Sequence, residues 1–164
     1  MSKISEDFNT RNFKNFDRRH VSRYLALCYL YNNYYNVKSI SEYEINFSHN
    51  FVNVFEPQTI LEIIEEKKYH KKLYLKLLDT IIENSNKIQN IFNEYIKSRN
   101  IKEVHLINQC IIFLGICEGI IIKSTPLKVI INEYVQLAKE IGGQNSAKFI
   151  NGVLGGIFET KLNN

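Results

Sequence analysis

Arginine is the most unevenly placed residue type in this chain. Of its five arginines, four (Arg11, Arg18, Arg19 and Arg23) fall in the first 23 residues, where Lys3 and Lys14 join them. Six basic residues there face three acidic ones (Glu6, Asp7 and Asp17), so the segment carries +3 of a whole-chain charge of +4. A guanidinium group binds phosphate through two parallel hydrogen bonds, and Arg19 and Arg23 stand one helical turn apart. On a helix this pair, flanked by Arg18, lies away from Val21, Leu25 and Cys28 and can grip successive phosphates, with His20 adding a surface for base stacking. The same pattern also fits a solvated helix end whose cations meet carboxylates of the same body.

No other arrangement competes as chemistry. The four histidines (His20, His49, His70 and His105) are scattered, and the chain has no HExxH, nucleophile elbow or phosphate-binding glycine loop. His105 reads as a core or interface residue. Glu65, Glu66, Glu103 and Glu118 lack the spacing of a di-iron bundle. Cys28, Cys110 and Cys117 form no CxxC pair and sit in apolar runs, which marks them as small buried hydrophobes instead of metal ligands. The expectation is a non-enzyme with no catalytic residue, no metal and no cofactor.

The elements that must position these residues are helices. All seven glycines lie after residue 114, and the only prolines are Pro57 and Pro126, so the first 114 residues lack the turn punctuation of a strand-rich fold. With 164 residues and 45% hydrophobic composition, the chain reads as one all-α domain behind a flexible basic tail over 1–15. A first helix spans about 17–35, its stripe made by Val21, Tyr24, Leu25, Cys28, Tyr31 and Tyr35. Residues 36–56 fit either a loop or a short helix, and Pro57 suits a first helical turn. Two or three helices follow over 58–97, broken near 67–72 and 84–86, then a central helix over 102–123. Thr125 and Pro126 open a helix that stops at Gly142 as a left-handed cap, and Asn145 or Ser146 caps the last one. The nearly apolar run 110–122 is interrupted by Glu118 and falls short of the roughly 20 residues a bilayer span needs. No apolar export segment develops at the N-terminus, so a cytoplasmic location with no membrane partner is expected.

The chain reads PLKVIINEYVQLAKEIG from Pro126 and SAKFINGVL from Ser146. These runs resemble the signature of the NusB family, with its P-x-K-V-x-I-N-E start, V-x-L-A-K centre, glycine stop and S-x-K-F-V/I-N-G-V-L last helix. Arg19, Arg23, Ala26, Leu30 and Tyr31 fit the family's first helix, and Glu118 its central one. The resemblance covers about 17–160 and is weakest over 36–100. Read without the family, Asn132 and Asn151 are amides on apolar helix faces that need buried partners, and Gly152 is a point of close helix approach.

The resemblance implies a fold of two packed three-helix-type lobes with about seven helices. It implies a single RNA-binding domain over 16–164, with an N-terminal lobe of about 16–98 and a C-terminal lobe of about 99–164. It further implies a transcription antitermination factor that binds boxA-type single-stranded RNA. In that family the factor pairs with NusE, a small-subunit ribosomal protein, and joins the antitermination complex on RNA polymerase, promoting ribosomal RNA transcription. Carried onto this sequence, Arg18, Arg19, His20, Arg23, Lys148 and Phe149 face RNA and Tyr31 faces NusE; the chain is a monomer or weak homodimer. There are departures: His20 and Val21 stand where many members have arginines, Phe113 replaces an arginine, and Asn145 replaces a common acid. Two other readings stay open. One is a stand-alone targeting module related to ribosomal RNA cytosine methyltransferases, although no glycine-rich cofactor loop or catalytic cysteine motif occurs. The other is a generic helical protein-interaction scaffold.

Overall fold

Seven consecutive apolar residues, Tyr24 to Leu30, leave a helix no wet face, and this sets the architecture. The computed structural model describes residues 17–33, 63 and 65–164, among which all regular structure is helical. The expectations for the basic tail, for 36–56 and for Pro57 lie outside these described residues. Helix α1 spans Arg18–Asn32, α2 Lys71–Glu83, α3 Ser85–Ser98 and α4 Leu106–Ile116. Helix α4 runs on into a π-helical turn, Cys117–Ile122, and α5 covers Leu127–Leu162.

Every residue of α1 from His20 to Leu30 is buried, because the helix packs against α2 and α4. The expectation of one core stripe with a solvated arginine face is corrected here. The side opposite Val21 and Leu25 also meets protein. Both expected breaks are present. Lys67 takes a left-handed φ of 51° in the first, and the chain re-enters a helix where His70 Nδ1 accepts from the Leu73 N–H at 3.1 Å. At the second, the Asn84 side chain donates to the Thr80 carbonyl at 3.0 Å and closes α2.

Helix α4 is buried on all sides from Cys110 to Ile116, in keeping with a central position. Its approach to α5 depends on Gly115, where a Cβ would lie 2.6 Å from Leu154 Cδ2. Gly152, expected to serve that purpose, faces open space. Phe113 meets Phe92 of α3 edge to face, with ring centroids 5.3 Å apart.

Helix α5 contains a break at Gly143, whose φ of 81° and ψ of −169° suit only glycine. It divides α5 into a first arm, 127–142, and a second arm, 144–162. The expected glycine stop is therefore one residue later than Gly142, which stays helical against Ser146. Pro126 is the residue before the helix and not its first turn. The Ser146 hydroxyl donates to Asn108 Oδ1 at 2.8 Å and ties the start of the second arm to α4. Asn132 and Asn151 are exposed, so neither amide needs the buried partner expected for it, and His105 is exposed just ahead of α4.

Candidate nucleic-acid interface

The start of α1 is built by Asp17, whose carboxylate accepts from the Arg19 N–H at 3.1 Å. Arg18 and Arg19 follow on this exposed first turn, where the helix has not yet entered the core. One residue later the chain is inside. His20 is buried, with Nδ1 2.8 Å from Glu133 Oε2 and Nε2 3.0 Å from Glu140 Oε2. Burial alone would lower the imidazole pKa. The hydrogen bonds and charges of Glu133 and Glu140 override it and raise the value from 6.5 to about 9, so His20 is an imidazolium donating to two carboxylates at neutral pH. The bond from His20 in turn holds Glu133 below its ordinary range.

Arg23 is also inside, with 3% of its surface exposed, against a Glu118 that has none. Its Nε and Nη2 donate to the two Glu118 oxygens at 2.9 and 2.6 Å, and Nη1 lies 3.3 Å from Glu133 Oε2. This is the bidentate geometry expected for phosphate, spent on a carboxylate of the same chain. The Tyr134 hydroxyl completes the group, donating to Glu118 Oε2 at 2.8 Å. Burial, followed by the Glu118 charge, pushes the Tyr134 phenol well above its ordinary range.

Two of the residues expected to face RNA therefore lie inside the protein. Arg23 and His20 do not present their cations to solvent, since Glu118, Glu133 and Glu140 hold them under the surface. The signal was legible in the sequence: a carboxylate inside the run 110–122 demands a cation, and α1 carries the candidates. The other expected residues lie at the surface. Lys148 is exposed on the second arm of α5, and Phe149 beside it is half-buried against the core. The Glu140 that His20 binds stands three residues before Gly143, so the start of α1 is fastened beside the turn that leads to Lys148. The arrangement offers cations at two helix starts with an aromatic ring alongside, which suits a phosphate backbone and an unstacked base.

Tyr31 lies at the other end of α1, half-buried and packed on the core. Thirteen residues at the helical rise put it about 20 Å from Arg18. Its neighbour Leu30, with Ile81, Ile82, Ile88, Phe113, Ser85 and Gln89, lines a mostly apolar recess of about 120 Å³. Among the described residues, no group of three or more His, Cys, Asp or Glu is placed to hold a metal. No described helix is long and apolar enough to cross a membrane.

An all-helical body with cationic helix starts and a buried ion-pair core falls among known folds. It superposes with a TM-score of 0.66 on a chain from the crystal structure of a plectonemic RNA supercoil, 24% identical, over 90% of this chain and 98% of that one. A structure of the antitermination factors NusB and NusE in complex with double-stranded RNA matches with a TM-score of 0.62 and 23% identity, over 86% of this chain and 96% of that one. The fold is therefore that of the NusB-type helical proteins. The NusB family model matches residues 20–159, and the chain belongs to that family. A transcription antitermination protein NusB of Finegoldia magna is 32% identical over 124 residues, 74% of this chain and 88% of the relative. One from Campylobacter jejuni is 36% identical over 103 residues, 61% of this chain and 77% of the relative.

Proposed function

We propose that this protein is a transcription antitermination factor. It binds boxA-type single-stranded RNA together with NusE, joins the antitermination complex on RNA polymerase in the cytoplasm, and promotes ribosomal RNA transcription by binding alone, with no enzymatic step. Membership of the NusB family carries the reading, and the NusB relatives' description as transcription antitermination proteins supports it. The RNA path runs over Arg18 and Arg19 to Lys148 and Phe149, with the cations on phosphates and the ring under a base. Tyr31 receives NusE at the far end of α1. The chain acts as one domain with lobes of about 16–98 and 99–164, as a monomer or weak homodimer.

The test is a titration of a boxA-like single strand with the wild-type chain and with the Arg18→Glu/Arg19→Glu variant. The double variant is expected to lose most RNA affinity while its helicity and melting temperature stay unchanged, because both side chains lie outside the core. Normal binding by the variant would contradict the proposed path.

A further inference from the structure

Arg18 and Arg19 belong to the first turn of α1, Lys148 and Phe149 to the second arm of α5, and more than a hundred residues separate them in sequence. His20 ties the start of α1 to the first arm of α5, as Arg23 also does through Glu133. His20 follows Arg19 directly, and its Nε2 lies 3.0 Å from Glu140 Oε2, near the end of the first arm of α5. Each carboxylate it meets is held a second time: Gln136 Nε2 donates to Glu140 Oε1 at 3.0 Å, and Arg23 Nη1 lies 3.3 Å from Glu133. The second arm is fixed from its own side by Ser146 on Asn108. His20 is thus one residue from the phosphate-facing arginines and one hydrogen bond from the segment that turns at Gly143.

We propose that His20 is a positioning residue of the RNA surface: without touching RNA, it clamps the start of α1 to the first arm of α5 through Glu140 and so fixes the spacing between Arg18–Arg19 and Lys148–Phe149. The inference rests on the RNA reading above. A strand that spans both helix starts gains from each only if their separation is set before it binds, since ordering them afterwards subtracts from affinity. Charge and position make opposite demands on Glu140. Removing a carboxylate beside a phosphate path strengthens binding by Coulomb's law, whereas removing the anchor of the clamp weakens it.

The experiment measures the affinity of a fluorescent boxA-like single strand for the full-length wild type and for Glu140→Gln, His20→Gln, His20→Arg and Arg19→Ala, with melting recorded for each. Glu140→Gln and His20→Gln should each weaken binding about three- to tenfold. A His20→Gln/Glu140→Gln double variant, measured alongside, should be no weaker than the weaker single one, because both changes open the same clamp. His20→Arg, which keeps a cation between two carboxylates, should bind as the wild type does. Amide exchange over 18–22 and 142–146 should rise together in Glu140→Gln. If Glu140→Gln does not fold, Gln136→Ala, which removes only the outer partner of Glu140, should give a smaller loss in the same direction. Unchanged or tighter binding by the folded variant at position 140 or 136 overturns the clamp, as do multiplicative losses in the double variant. Affinity that depends on Arg19 but not on Glu140 overturns the positioning role alone. A wild type without RNA affinity overturns the RNA reading and the clamp with it.

Discussion

Arg19 and Arg23 stand one turn apart on the same helix, yet Arg19 lies in solvent and Arg23 is enclosed by Glu118, Glu133 and Tyr134. Side-chain type sets what each can bind; surroundings decide what it does bind. Arg23→Ala would leave Glu118 buried without its cation, which is expected to cost about 3–5 kcal/mol of unfolding free energy in a urea titration. Arg19→Ala should cost next to nothing in the same assay. His20 gives the fold a pH dependence whose sign follows from its raised pKa. Its contribution is fully present below pH 6.5, declines above that, and is gone once pH passes about 9. The melting temperature should therefore fall between pH 7 and about 9.5 in the wild type, and much less in His20→Gln. Glu133, held low by His20, adds stability that is present above the ordinary carboxylate range and lost as pH falls into acid. The sequence sets Arg19 and Arg23 on one phosphate-gripping face with Arg18 flanking them, and the burial of Arg23 could not be read from α1 alone. Periodicity shows which face of a helix is most apolar and is silent on whether the opposite face meets water or a second element.

Element boundaries followed from local chemistry where a local residue controls them. The breaks near 67–72 and at Asn84 are gaps in apolar spacing with polar side chains ready to cap, and both are present. At the centre of α5 the family-like glycine stop is displaced by one residue, because Gly142 packs helically on Ser146 while Gly143 takes the strained dihedral. Gly143→Ala should cost about 1–3 kcal/mol through its positive φ, although a Cβ there would meet no neighbour. Thermal melting of that variant beside Gly152→Ala, at a site equally open but helical, separates strain from packing. The π-helical turn Cys117–Ile122 left no trace in the sequence pattern, since its apolar residues fit an ordinary helix equally well. It brings Glu118 to Arg23 and Tyr134, and tertiary pairing of that kind is settled by three elements at once.

For the whole molecule, α1 is the axis on which the account turns. Its first turn presents cations, its middle fills the core, and its end, about 20 Å away, carries the half-buried Tyr31 and Leu30, which lines a recess. On the proposed sites, RNA and a protein partner occupy opposite ends of one buried helix and do not compete. With Arg23 and His20 inside, the proposed path offers phosphate three cations among the described residues: Arg18, Arg19 and Lys148. Three contacts predict a single-strand salt slope near −2.1, which is roughly a twentyfold loss of affinity between 50 and 200 mM salt. So short a strip gives weak, sequence-tolerant binding by itself, and selectivity requires a second surface beside it.

That requirement makes the partner's contribution the most direct measure of the account. A boxA-like single strand and a scrambled strand are titrated at one salt concentration with the chain alone and with the chain plus its own NusE. The mixture is expected to bind the boxA-like strand at least about tenfold more tightly than the isolated chain and to discriminate against the scrambled strand, while the isolated chain discriminates poorly. Equal affinity and equal selectivity with and without NusE, or no binding by either, would contradict it.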